Sequence, residues 1–573
     1  MKKMLLFCTV FLVTFSTCIS QDKPVRLMAG QTLQAQLSPH ELDTFLVSMK
    51  AGEFASVRIT EKHIRLHARV YDPAGKLIHW VDQNRMGDKE VVTIFSTIPG
   101  SYQVIIGWNF EPPLTGDYTI TLQSVEKAGK DAVQKARQLI EGWYLPDAPG
   151  AALLVIKNGN PVLKICRGMA DLEAGIPVQS NSLFEMASCS KQFTGYAVAM
   201  LADQQRLGLQ ENIRKYFPEM PVYSNPITIA QLTNHTSGIR NIDDLQYAGF
   251  SHLDRTTLPI CLNFAYAQKK LLFTPGDRFE YSNTNYNLLA ELVSRVTDTS
   301  FAEWCRANIF RPVGMDNTLF KAQVGQVIPR AVKSYQGTES GYREQMNNWG
   351  AVGASCVMSS LDDLEKWLLH LESKKSMSPS LVNLLSTPTK LNNGRLNNYV
   401  FGNTINTKMN GQTEIMHLGL VLGYRTALYR YPEEGLCIAF MANDGNDASF
   451  QRISRIIDLF RGTNTEELPD LAMIPNIDAM LNEIEAEKTF KESIDLSPYT
   501  GVYYANELST VWEITNDQGR LLIKNQRMDP LRPKYAGKDR FDNIQFQRNE
   551  AGKIVGLEIL GSGIVFEKKV GEE

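Results

Sequence analysis

Paired cysteines are missing from this chain: no C-x-x-C occurs, and thiols are few. Of eight cysteines, Cys8 and Cys18 lie in the first twenty residues. Cys166, Cys189, Cys261, Cys305, Cys356 and Cys437 are scattered over the rest. That spacing excludes a zinc or redox motif, and the density is far below that of a disulfide scaffold. A charge excess is missing too, because 59 Lys+Arg meet 62 Asp+Glu for a net charge of −3. Without it there is no electrostatic footprint for nucleic acid, and no basic run would hold an anionic membrane. No internal repeat or low-complexity tract is visible. Beyond the first twenty residues no stretch is apolar enough to span a bilayer. Neither a cofactor nor a metal is expected.

What is present is length and apolar content. With 573 residues, 43% apolar and 21% charged, the chain can bury a sizeable core and suggests three or four domains. Residues 1–20 read as a signal peptide. Lys2 and Lys3 form a positive start, Met4 to Thr17 is a short apolar run, and Cys18-Ile19-Ser20 offers small residues before Gln21. Cleavage near Ser20–Gln21 and a periplasmic or secreted protein are expected, with an uncleaved anchor or a lipid anchor at Cys18 as alternatives.

Residues 21–126 read as a small β-sandwich. Val57 and Ile59 alternate with polar neighbours, and Ala68–Tyr71 runs through the turn Asp72-Pro73-Ala74-Gly75 into Leu77-Ile78. His40, His63, His67 and His79 lie here. His63 and His67 could meet only on a helix, and the segment reads as strand, so they are not expected to bind metal. Residues 131–465 mix helix and strand. Ala151–Ile156 is an apolar strand turned by Asn158-Gly159 into Val162-Leu163. Lys191–Asp203 reads as a helix with Phe193, Tyr196, Ala197 and Met200 on one face. Arg425–Tyr431 and Leu436–Met441 are strands, and Ala448–Phe460 is helical. Strands at both sequence ends with helices between imply a sheet assembled from distant segments. Residues 466–490 read as a linker with a short acidic helix, Ile477–Thr489. Residues 491–573 are β again and suggest a small barrel.

Three short motifs in the middle region could carry chemistry. Ser188-Cys189-Ser190-Lys191 is an S-x-x-K at the start of a helix, which sets Ser188 and Lys191 on one face. A serine needs its proton taken, and an adjacent amine can take it. Two other copies, Ser20 to Lys23 and Ser124 to Lys127, open no apolar helix. Cys189 reads as a small buried residue rather than a nucleophile. Tyr281-Ser282-Asn283 follows a turn and precedes a helical run, Tyr286 to Val296. A tyrosine beside a lysine cation is expected to have a lowered pKa and to serve as base, and Asn283 can bond a substrate carbonyl. Y-x-N recurs at Tyr223 and Tyr504, so this copy is weak alone. His417-Leu418-Gly419 is the one H-x-G, and its glycine allows close approach of a ligand or backbone.

Together these residues resemble the serine β-lactamase-related and penicillin-binding hydrolases, closest to the class C type. In class C-like members the second motif is Y-x-N, and in many related esterases and peptidases H-x-G replaces K-T-G. The order Ser188/Lys191, Tyr281/Asn283, His417/Gly419 is the family's. Ile229–Gly238, ending in H-T-S-G, and Trp349–Gly353, followed by Asp362-Asp363-Leu364, look like its supporting stretches. The outer regions resemble accessory β-domains of such hydrolases. The resemblance covers about 335 of 573 residues. It implies an α+β fold, an antiparallel sheet flanked by helices plus a helical subdomain (β-lactamase/transpeptidase-like). An N-terminal β-sandwich and a C-terminal β-barrel-like domain would flank it.

The resemblance also implies roles. Ser188 would attack a carbonyl, with Lys191 and Tyr281 sharing its proton. The backbone N–H groups of Ser188 and Leu420, beside His417 and Gly419, would form the oxyanion hole. Asn283 would orient the substrate, and His235 would be structural. The class A deacylation glutamate has no counterpart, so Tyr281 would have to activate the deacylating water. The expected partner is a small molecule or peptide, with the oligomeric state open. An exported ester or amide hydrolase is expected; a β-lactamase or D-alanyl-D-alanine carboxypeptidase-like peptidase is one alternative, and a catalytically silent envelope-binding protein another. His417-Leu418-Gly419-Leu420 carries no hydroxyl and no permanent cation, so uncharged esters and amides are expected to be preferred over penicillins and cephalosporins. Arg425 is the nearby cation, and the sequence leaves open which way it points.

Overall fold

The structure, a computed structural model, describes residues 18–19, 24–38, 41–62, 64, 66–82, 89–108, 115–244, 254–338, 340–407, 411–446, 448–463, 494–508, 510–525, 528–560 and 562–569. Of the expected leader only Cys18–Ile19 falls among them; His40, His63, the linker at 466–490 and its acidic helix lie outside the described residues. By internal contact the chain forms two units, Met1–Leu145 with Gly337–Arg343 and Asn446–Glu483, and Pro146–Gln336 with Glu344–Gly445 and Ile484–Glu573.

The first unit holds two five-stranded sheets. Their inner faces follow the two-residue period of a strand. In Thr32–Leu37, for example, Leu33, Ala35 and Leu37 are buried between exposed neighbours. The same core takes in Phe45, Val57, Val104 and Ile120. His79 is bonded to Arg455 at 3.1 Å, within this unit. Two helices, Ala132–Trp143 and Ser449–Arg461, also cluster here. The first starts at Asp131, whose carboxylate accepts the Gln134 N–H at 2.8 Å as a helix cap.

The second unit is built on a seven-stranded antiparallel sheet. Its order is Asn160–Arg167, Ala151–Lys157, Leu436–Ala442, Tyr424–Tyr431, Thr413–Val421, Asn403–Thr407 and Tyr399–Val400. Asn158 and Gly159, both with positive φ, make the tight turn between the first two strands. Ala151 pairs with Ala442 across nearly the whole domain, which joins the sequence-distant strands into one sheet.

The helix Lys191–Asp203 differs from the one-sided stripe its sequence suggests: residues 191 to 199 are all buried. It is a central helix, covered all round, and Gly195 shows how closely. A Cβ there would lie 2.0 Å from the carbonyl oxygen of Phe401. The helix Asn283–Thr297 begins three residues before its apolar run, directly at the Y-x-N motif. Residues 501–568 form a nine-stranded antiparallel sheet around Tyr503, Trp512, Phe546 and Phe566. Among the described residues its edge strands, Met528–Leu531 and Tyr535–Gly537, are not paired with each other, so the expected barrel is a half-barrel. No helix among the described residues is long and apolar enough to cross a membrane.

Candidate active site

Ser188 lies in a single 3-10 turn, Ala187–Ser190, that runs into the central helix. Ala187 has φ of +46°, a left-handed conformation that costs a non-glycine residue about 1–2 kcal/mol. The strain sits immediately before the serine. One helical step on, Lys191 points back at it, with Nζ 3.2 Å from Ser188 Oγ. The lysine is fully buried, and its Nζ also reaches Asn283 Oδ1 at 2.6 Å and the Ala354 carbonyl at 2.7 Å. Burial pulls its pKa down to about 7, against a smaller upward pull from the Asp243 carboxylate. Near neutrality the amine and the ammonium are therefore both populated.

The Ser188 side chain acts on the Tyr281 phenol and pulls its pKa down. The Tyr281 ring centroid is 4.9 Å from Lys191 Nζ. The expectation of a lowered tyrosine pKa is corrected here. Burial is the largest influence and raises it well above the ordinary phenol value, with the Ser188 side chain opposing. A half-charged lysine gives little help against that desolvation, so Tyr281 stays a phenol at neutral pH.

Asn283 is the first residue of its helix and is held from two sides. Its N–H donates to Asn241 Oδ1 at 2.9 Å, and its amide donates to Asp243 Oδ2 at 2.6 Å. Thus Asn283 passes the position of the loop at Arg240–Asp244 to Lys191. His235, in H-T-S-G, is buried; its Nδ1 accepts the Ser282 N–H at 3.2 Å and its ring lies 4.5 Å from that of Tyr281.

The strand Thr413–Val421 brings the third motif. Gly419 is needed because a Cβ would meet Thr426 Oγ1 at 2.1 Å and the Met186 carbonyl at 2.5 Å. This close passage sets Leu420 in the same cleft as Ser188. The His417 ring takes another place. It is 6% exposed, donates from Nδ1 to the Leu418 carbonyl at 2.6 Å and accepts from the Tyr399 hydroxyl at 2.8 Å. Burial lowers its pKa to about 3, so it is neutral. It does not line the cleft, which encloses about 150 Å³ between Ser188, Asp243, Asn283, Trp349, Ser355 and Leu420. Cys189 is buried beside it, with a thiol pushed up to about 12 by burial.

Arg425 is fully buried and turned onto the carbonyls of Leu422 at 2.7 Å, Tyr424 at 2.9 Å and Gly445 at 2.9 Å. It braces the turn after the Leu420 strand and is not among the cleft-lining residues. The groups that sequence reasoning missed are Asn241, Asp243, Ala354 as a carbonyl acceptor, and Tyr399. None belongs to a motif of recognisable spacing.

Residues 137–460 match the model of the Beta-lactamase family. The chain belongs to the Beta-lactamase family of serine hydrolases. It is 29% identical over 304 residues to a D-aminopeptidase of Gluconobacter oxydans (strain 621H), covering 52% of this chain and 56% of that one. It is 25% identical over 321 residues to penicillin-binding protein 4* of Bacillus subtilis (strain 168), covering 52% and 69%. The chain thus spans little more than half the length of the D-aminopeptidase it matches. A solved D-amino acid amidase of Ochrobactrum anthropi SV3 aligns over 57% of this chain and 99% of its own, with TM-score 0.49 and 21% identity. His417-Leu418-Gly419 lies within the matched residues.

Proposed function

We propose that the protein is an exported serine hydrolase that cleaves an ester or amide through an acyl-enzyme on Ser188. The observation that carries this reading is Lys191, buried, 3.2 Å from Ser188 Oγ and with a pKa near 7. An amine poised near the working pH is what general base catalysis requires. The free amine takes the Ser188 proton as Oγ bonds to the substrate carbonyl carbon. The resulting ammonium is held by Asn283 and the Ala354 carbonyl. The oxyanion is received by the backbone N–H groups of Ser188 and Leu420. The proton then passes through the Tyr281 phenol to the leaving alkoxide or amine as the tetrahedral adduct collapses. Water attacks the acyl group in the second half, its proton returns by the same route, and Ser188 is regenerated as the acid leaves. Asn283 orients the substrate from the cleft wall.

The substrate class follows from the cleft. Among the described residues its lining includes Asp243 and neither a lysine nor an arginine, and Arg425 is engaged elsewhere. A substrate carboxylate buried there would lack a permanent cation. Small acyl esters and uncharged peptide amides are therefore the preferred substrates, over penicillins, cephalosporins and D-alanine-ended peptides. The similarity to a D-aminopeptidase supports an amide substrate. Export rests on the sequence of residues 1–20 alone, and N-terminal sequencing of the protein recovered outside the cytoplasm should start at Gln21. The test of the chemistry is fluorophosphonate labelling with peptide mapping. A label on Ser188 is expected; a label on Cys189, or none, overturns the reading.

A further inference from the structure

The C-terminal half-barrel reaches the wall of the candidate site. After the strand Gly501–Ala505 the chain turns at residues 506–508, and Glu507 forms an ion pair with Arg240. The Arg240 side chain is 6% exposed and that of Glu507 25%, so the pair is poorly screened by solvent. Leu508, next in the turn, packs with Trp349 against the small cluster of Ile242, Cys261, Phe264 and Ala351. Gly563, in a second turn of the same sheet, lies close enough that a Cβ would come within 2.9 Å of Leu272 and 3.4 Å of Arg240 Nε.

Arg240 opens the segment that holds Asn283. Its own carbonyl accepts from Ser282 Oγ at 3.3 Å, Asn241 accepts the Asn283 N–H, and Asp243 accepts the Asn283 amide. Asn283 in turn holds Lys191 at 2.6 Å. A continuous set of polar contacts therefore runs from Glu507 through Arg240, the 241–243 backbone and Asn283 to Lys191 and Ser188.

We propose that Glu507 is a positioning residue for catalysis: its ion pair with Arg240 makes the C-terminal half-barrel a brace for the loop that holds Asn283 and, through it, Lys191. The proposal rests on the acyl-enzyme reading above. Proton transfer depends steeply on the distance of the base from its nucleophile, and substrate contacts with the cleft-lining Asp243 and Asn283 depend less steeply on the same displacement. Loss of the brace thus lowers kcat more than it raises KM.

The test uses the full-length protein with p-nitrophenyl butyrate, the rate of Ser188 labelling and thermal melting. E507Q is expected to lower kcat about tenfold, the size of one lost charge-assisted hydrogen bond. KM should stay within threefold, and E507D, which keeps the charge, should lie between E507Q and the native protein. The control is D539N, which breaks the ion pair of Asp539 with Arg548 inside the half-barrel. It should lower the melting temperature and leave kcat within twofold. Two results overturn the proposal: kcat within twofold of native in both Glu507 variants, or an equal loss of kcat in D539N. Absence of Ser188 labelling in the native protein is a separate outcome, which defeats the acyl-enzyme reading and this proposal with it.

Discussion

The floor of the site and its mouth are built on opposite principles. At the floor, Lys191 is buried and bonded to Ser188, Asn283 and Ala354. Of these partners Asn283 is itself held, by Asn241 and Asp243. At the mouth, Leu420 is 53% exposed and Trp349 is half-buried against apolar neighbours. A hydrogen-bonded floor keeps proton-transfer distances short, and a loosely apolar mouth sorts substrates by contact alone. Changes at the floor should therefore act on kcat by orders of magnitude, and changes at the mouth on KM by small factors.

The largest effect expected is from Lys191→Met, which keeps the stem and removes the amine. It should lower the acylation rate by about 10³–10⁴, the upper range for a lost general base. Tyr281→Phe follows, with a loss of about 10² or more in turnover and an intact fold. Stopped-flow acylation with a p-nitrophenyl ester reads both. A rate within threefold of native for Tyr281→Phe would remove the tyrosine from the proton path.

The pH profile is the next discriminator. The active form of Lys191 is the free amine, and burial sets its pKa to about 7. Acylation should therefore be slow at low pH, rise through about 7 and level off above it. Had Tyr281 been the base as phenolate, the rise would come far higher, because burial pushes its pKa above the ordinary phenol value. A profile still climbing at pH 9 would favour the tyrosine.

What could be read in the chain beforehand follows the same division between local and distant contacts. Ser188 and Lys191 are three residues apart on consecutive helical turns, so their proximity needs only helix geometry. The Asn158-Gly159 turn and the outer strands are equally local. Asn241 and Asp243 meet Asn283 across about forty residues, and Tyr399 meets His417 through strand order; neither has a period to betray it. The error over Tyr281 has the same origin. A lysine nearby in space was legible from the motif, but the burial that outweighs it comes from packing by distant segments. Likewise Glu507 contacts Arg240 across 267 residues, which is why the C-terminal sheet reads in sequence only as an accessory β-domain.

Arg425→Ala tests whether the mouth holds a hidden anion site. The guanidinium is buried on three backbone carbonyls, so its removal takes one donor from each of those acceptors. The expected cost is about 2–4 kcal/mol of stability, read by denaturant melting. The ratio of kcat/KM for p-nitrophenyl butyrate to that for nitrocefin should remain above one and change by less than threefold. A native ratio below one, rising above one only in the variant, would make Arg425 a carboxylate anchor despite its place in the structure.

The smallest effect belongs to Leu420→Ala. Gly419 and the strand pairing fix the backbone at this position, so the N–H proposed for the oxyanion hole should not move. The side chain is more exposed than buried, and truncating it removes apolar contact with the acyl chain and little else. At about 25 cal/mol per Å² and a few tens of Å² of contact, the loss is about 1 kcal/mol, or roughly fivefold in KM for a butyryl ester. For an acetyl ester, whose chain is too short to fill the mouth, KM should change by less than twofold. kcat should be unchanged for both, because the floor is untouched. A fall of tenfold or more in kcat would mean that the mouth and the floor are mechanically coupled, and the division between them would have to be given up.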